Sequence, residues 1–334
     1  MISLKAALDQ LYLEFDRVDS AADPVHIVRR YPDPADREVV GFCAAALAFG
    51  RVASVLASVE TLLAEMGPSP AGFVRGFDPA RHRAAFRALG HRWTRGADLA
   101  ALLWILRQML DTAGSIEAFF LKGYEASAED IGPTLDSFCE RALRFDLDAA
   151  YGRRRPVRTV HYFFPKPSSG SGCKRLNLFL RWMVRRDRID LGVWSRVSAA
   201  QLIVPLDTHV IRVGQCLGLT RYRSPSWKMA REITTSLRAL DPADPVKYDF
   251  SLCHLGMLNV CGFRASRRGS RVGDPARAPQ RGCRVGDPAR APQRGCRVGD
   301  PARRPQGAAN CPLRGLCGPD VDRRQSSRRS SARR

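Results

Sequence analysis

The chain has 334 residues, a formal net charge of +21 and 45% apolar residues, which is enough to bury one large core or two smaller ones. No apolar run of about 18 residues is free of charge, which argues against a transmembrane helix. Met1-Ile2-Ser3-Leu4-Lys5 lacks the basic start and long apolar segment of a signal peptide, so a cytoplasmic protein without membrane contact is expected.

Leu4 to Val18 carries apolar residues at Leu4, Leu8, Leu11, Leu13 and Phe15, the spacing of an amphipathic helix. Tyr31-Pro32-Asp33-Pro34 breaks the chain, and Asp36 opens a helix through Val39, Phe42 and Leu47 that stops near Gly50. Further helices are expected over Val52 to Met66, Leu99 to Leu110 and Ile131 to Phe145. Val157 to Phe164 has some strand character but is short and flanked by Arg and Pro. Helices over Lys174 to Val184, Trp227 to Leu240 and Tyr248 to Val260 complete an all-α domain spanning residues 1–262. Cys43, Cys139, Cys216 and Cys253 sit in apolar helical patterns and are expected in the core, since ten cysteines in a cytosolic chain read as buried, metal-binding or reactive thiols before disulfides.

Two stretches carry chemistry. In Pro167-Ser168-Ser169-Gly170-Ser171-Gly172-Cys173-Lys174-Arg175, a Gly/Ser loop runs straight into a helix with two cations in its first turn. Free amides at a helix start make an anion site, and cations there otherwise oppose the helix dipole. The alternative is that Lys174 and Arg175 simply face water. Downstream, Leu202-Ile203-Val204-Pro205-Leu206 meets Asp207 at the N-cap position of a helix whose apolar face is Val210, Ile211, Val213, Cys216 and Leu217, closed by Gly218. Asp207 reads as an ordinary cap or as a functional carboxylate.

The run Pro205-Leu206-Asp207-Thr208-His209-Val210-Ile211-Arg212, followed by Leu217-Gly218-Leu219, resembles the Val-Asp-Thr-His-x-x-Arg segment of the endonuclease III branch of helix-hairpin-helix DNA glycosylases. That resemblance implies a helix-hairpin-helix glycosylase-like fold and base-excision chemistry on damaged duplex DNA, with lyase activity where a lysine attacks the sugar. By it, Asp207 is the catalytic carboxylate and Lys174 the amine nucleophile, with Gly170, Gly172, Arg175, His209 and Arg212 contacting DNA. The family's hairpin signature, Leu-Pro-Gly-Val-Gly-x-Lys, is absent. Gly170-Ser171-Gly172-Cys173-Lys174 stands in its place at a distance from Asp207 similar to that in archaeal 8-oxoguanine glycosylases. Lysine suits the role because desolvation or a neighbouring cation frees its amine. A carboxylate can stabilise the cationic sugar and move protons. His161-Tyr162-Phe163-Phe164 offers rings to stack on an everted base, although at least two of them are expected in the core. Arg153-Arg154-Arg155 meets phosphates or water, and Phe49-Gly50-Arg51 lacks the gap-filling Gln found in related enzymes.

Asp249 to Cys261 resembles the last helix of endonuclease III, which ends at the first cysteine of a [4Fe–4S] loop. Cys311 and Cys317 match the closing Cys-x5-Cys, and the resemblance implies a cluster on Cys261, Cys311 and Cys317 with Cys296 or Cys283 as fourth ligand. Zinc suits the same thiolates. Either a repeat supplies the missing thiolate or the insertion has dismantled the site.

That insertion is three near-identical 13-residue units between Gly269 and Gly307, too short, polar and rich in Gly and Pro to bury a core. Residues 263–310 are therefore expected to be disordered, 311–317 to be a remnant of the cysteine loop, and 318–334 to be a disordered Ser/Arg tail. From Phe263 to Arg334 there are 19 Arg and 5 Asp with no Lys or Glu, placing +14 of the charge there and +7 on the first 262 residues. A basic body suits a polyanion. Besides a glycosylase, the sequence leaves open a non-catalytic nucleic-acid-binding protein on the same scaffold, or a protein-interaction domain without salt-dependent DNA affinity.

Overall fold

The computed structural model describes residues 3–17, 23–151, 159–257, 313 and 316. They form helices α1 (Leu4–Phe15), α2 (Val25–Arg29), α3 (Pro34–Ala46), α4 (Val52–Met66), α5 (Pro70–Arg75), α6 (Pro79–Phe86), α7 (Gly96–Ala113), α8 (Ile116–Leu121), α9 (Gly132–Leu143), α10 (Asp148–Tyr151), α11 (Lys174–Val184), α12 (Thr208–Cys216), α13 (Trp227–Arg238) and α14 (Asp249–Met257). The strands β1 (Gly90–His91) and β2 (Thr94–Arg95) make one small antiparallel hairpin. The described residues are mostly helical, as the patterning predicts.

Local chemistry accounts for most boundaries. Ser3, Ser69, Ser115 and Ser226 accept backbone N–H groups at the starts of α1, α5, α8 and α13. The expected opening of α3 at Asp36 is corrected. Asp33 is the cap, with Pro34 in the first turn, and the buried Asp36 carboxylate instead accepts the Ala71 N–H at 2.7 Å, inside α5. α3 also stops at Ala46, three residues before Phe49. Arg175 Nη1 donates to the Ala46 carbonyl at 2.9 Å, so a side chain from α11 satisfies the helix end and lets the chain turn at Gly50. Val160–Tyr162 is a 3-10 turn, not a strand, and residues 152–158, including Arg153-Arg154-Arg155, lie outside the described residues.

α11 packs on α3 through Phe179, Leu180 and Met183 against Val39, Phe42 and Cys43, all 2% exposed or less. α14 lies along α12 so closely that a Cβ on Gly256 would stand 2.6 Å from that of His209, which makes glycine obligatory there. A single apolar cluster runs from Ala7 to Leu255 and takes in Leu313, which is fully buried. Leu316 packs against the same cluster, so two residues of the Cys-x5-Cys segment dock on the helical body. The expected cores of Cys43, Cys139 and Cys216 are buried, and Cys253 is half-buried. Cys261, Cys283, Cys296, Cys311 and Cys317 lie outside the described residues, as do the repeats and the Ser/Arg tail. No helix among the described residues is long and apolar enough to cross a membrane.

Beneath α11 lies a buried ion network. Arg181 Nε contacts Asp190 at 3.1 Å and its Nη1 contacts Asp249. Arg185 meets Asp187 and Asp244 at 2.9 Å and also Asp190. Opposite charges hold both guanidinium groups charged despite burial, which by itself works the other way.

Candidate functional site

Lys174 and Asp207 come together from opposite ends of a 33-residue separation. Lys174 Nζ lies 2.7 Å from Asp207 Oδ2, with side chains 36% and 22% exposed. Each is aimed by its local backbone. Gly170 sits at φ +83°, where L side chains are strained, and its carbonyl accepts the Trp227 N–H at 3.1 Å. Cys173 is also left-handed, at φ +47°, a conformation that costs a non-glycine residue roughly 1 kcal/mol or more. Its buried thiol, bonded to the Pro165 and Ser171 carbonyls, and the Asn177 amide on the Gly172 carbonyl hold that turn in place. Lys174 is the first residue after it.

Asp207 caps α12 as its position predicts: Oδ1 accepts the His209 N–H at 2.9 Å, which leaves Oδ2 for Lys174. Burial raises its pKa, but the Lys174 charge and the His209 N–H outweigh that, so the carboxyl stays below the ordinary carboxylate value of 3.8. Asp207 is therefore a carboxylate at neutral pH, facing the Lys174 amine.

Both residues line a cavity of about 210 Å³ between α4, α11, α12 and α14, with Gly50 and Pro205 on its walls. It is smaller than the roughly 300–1,000 Å³ that drug-sized ligands occupy, which suits a group about the size of one ring system. A second cavity, near Asp130, Asp136 and Arg231, holds neither Lys174 nor Asp207.

The remaining sequence candidates divide. His209 lines the cavity. Arg212 is half-buried, one turn further along α12. Gly170 spends its N–H on the Pro167 carbonyl at 2.8 Å, whereas the Gly172 N–H makes no hydrogen bond among the described residues. Arg175 departs from its expected DNA contact. It is 8% exposed, and its guanidinium donates to the Ala46 and Tyr162 carbonyls while stacking 3.7 Å from the Tyr162 ring. Its charge is turned inward, where burial lowers its pKa to about 10.

Residue periodicity did not reveal two features of the site. One is the hairpin tip Arg92-Trp93, with Arg92 left-handed at φ +55° and its guanidinium 5.2 Å from the Trp93 ring. Trp93 is 48% exposed and stacks on Phe49 at 4.6 Å, with Tyr162 edge-on at 5.2 Å. Tyr162 is also exposed, while Phe163 and Phe164 are core, as expected for two of that aromatic run. A bulky residue at positive φ in a two-residue loop is the available sequence signal, but only the fold shows that the loop overhangs Gly50.

The other is His254, buried on α14 and facing the same cavity. Burial holds its pKa below 6.5. The unfolded chain therefore binds a proton more readily than the fold does, and stability falls as pH drops below 6.5. Thermal unfolding between pH 7 and 5 is expected to show a shallower acid slope for His254→Phe than for wild type. Equal slopes would mean that the ring titrates alike in both states.

No curated protein and no solved structure matches the chain. A family profile described as "Protein of unknown function (DUF2400)" matches residues 23–258, from the cavity's Asp23 through α14. The chain belongs to that family.

Proposed function

We propose that the protein is a DNA base-excision glycosylase with lyase activity, acting on a damaged base in duplex DNA. The observation that carries this reading is the Lys174–Asp207 pair at 2.7 Å in a ring-sized cavity. In the reaction, the ammonium gives its proton to Asp207 and the freed amine forms a bond to the sugar C1′ as the glycosidic bond breaks with its electron pair leaving on the base. Asp207 passes its proton to the departing base and is again a carboxylate. It then takes a proton from the attached, positively charged nitrogen and delivers it to O4′ as the C1′–O4′ bond breaks, so that the nitrogen lone pair forms an iminium on Lys174 beside the restored Asp207 carboxylate.

The hairpin supports the same reading. A strained Arg92 and an exposed Trp93 beside the cavity rim make a stacking surface with a cation at its edge, and base–aromatic stacking contributes about 1–3 kcal/mol per base. Trp93→Ala is expected to weaken duplex binding roughly tenfold or more while leaving thermal stability nearly unchanged, as read by fluorescence anisotropy and a melting curve. Unchanged affinity would remove the hairpin from the interface.

The test is borohydride trapping on duplexes carrying an abasic site or 8-oxoguanine. A covalent adduct is expected, because hydride reduces the iminium to a stable amine. Duplex binding without adduct and without base release would favour the non-catalytic binder, and no salt-dependent duplex binding at all would sink both readings.

A further inference from the structure

Away from the Lys174–Asp207 pair, α6, α7 and α10 enclose a cavity of about 260 Å³. Its floor is apolar: Phe86, Ala100 and Ala150 are 1%, 4% and 5% exposed. Three exposed arginines, Arg83, Arg87 and Arg95, line the rest of it. The backbone brings them together. A Cβ on Gly96 would stand 1.6 Å from the Phe86 carbonyl oxygen, so the end of α6 meets the start of α7 with no side chain between, and Arg87 and Arg95 flank that contact. Arg83 is held on the third side by a 3.2 Å hydrogen bond to the Ala149 carbonyl of α10.

None of the three guanidinium groups has an ion-pair partner among the described residues, and no described carboxylate lines the cavity. Asp98, at the start of α7, is 4% exposed and spends its oxygens on the Arg95 N–H at 2.9 Å and the Tyr151 hydroxyl at 3.1 Å. Elsewhere the exposed guanidinium groups of Arg30, Arg196 and Arg231 do meet carboxylates. Three like charges around an apolar recess repel one another, and the low-dielectric walls concentrate their field where a counter-ion would sit.

We infer that this cavity is a binding site for a phosphate group. A carboxylate offers two oxygens and one charge, whereas a phosphate group presents more oxygens to the forked donors of several guanidinium groups at once. The amides of Gly96 and Ala97, at the positive end of the 18-residue helix α7 and lining the same cavity, add to the arginines. The site goes beyond the glycosylase reading and does not rest on it, since neither Lys174 nor Asp207 lines it. Two sources share the chemistry. Arg95 follows Trp93 by two residues, roughly 7 Å along the hairpin, so a nucleic-acid backbone held at Trp93 passes within a few nucleotides of the cavity. The other source is a free phosphorylated small molecule.

The experiment titrates the full chain with inorganic phosphate in a calorimeter, at an ionic strength held constant with chloride. Saturable binding is expected, weakened roughly fivefold or more by Arg87→Gln or Arg95→Gln, because each removes charge-assisted hydrogen bonds. Arg81→Gln removes the same charge from α6 outside the cavity lining and is expected to bind as wild type does. No saturable binding overturns the inference, and so does equal weakening by Arg81→Gln, which would reduce the effect to general basic charge. Repeating the titration with a short undamaged duplex present separates the sources. Displacement of phosphate by duplex, with a salt slope of duplex affinity about one smaller in Arg87→Gln, identifies a strand backbone. Phosphate binding that duplex leaves unchanged identifies a free phosphorylated ligand, and either result upholds the site. The trapping assay reports separately on Lys174. Phosphate binding without adduct keeps this site and sinks the lyase, and an adduct without phosphate binding does the reverse.

Discussion

Asp207→Asn is expected to fold as the wild type does and to lose about a thousandfold or more in base release and borohydride trapping. Asparagine caps a helix as well as aspartate, so the acceptor for the His209 N–H survives and α12 keeps its start. What disappears is the charge facing Lys174 at 2.7 Å, and with it both the proton acceptor and the counter-charge for the sugar. Asp207→Ala removes the cap as well and is expected to cost about 1 kcal/mol of stability in addition. Melting temperature and trapping yield, measured on both variants, therefore separate the two tasks of one side chain. Normal trapping by Asp207→Asn would reduce Asp207 to a cap. Lys174→Ala is expected to abolish the adduct, because Lys174 is the only lysine lining the cavity among the described residues. An adduct that persists in it would keep the chemistry and relocate the nucleophile.

The largest loss of stability is expected from Asp190→Ala, about 3–5 kcal/mol, because two buried guanidinium groups each lose one of the carboxylates that offset their burial. Asp190 is 2% exposed and joins Arg181 to Arg185, so its removal leaves two buried cations on the carboxylates of Asp249, Asp187 and Asp244 alone. At roughly 2–4 °C per kcal/mol for a domain of this size, the melting temperature should fall by on the order of 10 °C. A fall of under about 3 °C would mean that water reaches the network. The same network holds Arg181 and Asp249 in the cavity wall.

Local features of the site are legible in the sequence. The start of α11 at Lys174, the cap at Asp207 and the ends of α4 at Val52 and Met66 depend on interactions within a turn or two: apolar periodicity, an N-cap carboxylate and a glycine stop. Such signals lie within a few residues of each other. Asp36 shows where they mislead, since a carboxylate near a helix start serves whichever unpaired N–H the fold brings to it, here that of Ala71. The hairpin at Gly90–Arg95 escaped because two strands of two residues each carry no periodicity.

The sequence by itself determined a mostly helical body and singled out Lys174 and Asp207, which the fold brings to 2.7 Å of each other. Only the tertiary structure decided which charges face the cavity and which are used up inside. Arg175, next to Lys174, turns inward because packing of α11 on α3 presents it with the Ala46 carbonyl at a helix end that needs a donor. Arg181, two turns on, keeps an unpaired N–H beside the cavity because Asp190 and Asp249, distant in the chain, engage the rest of its guanidinium. The physical reason is range. Capping and amphipathicity act within a few residues, whereas the pairing of buried charges depends on which helices meet, and that is settled by burying apolar surface far along the chain.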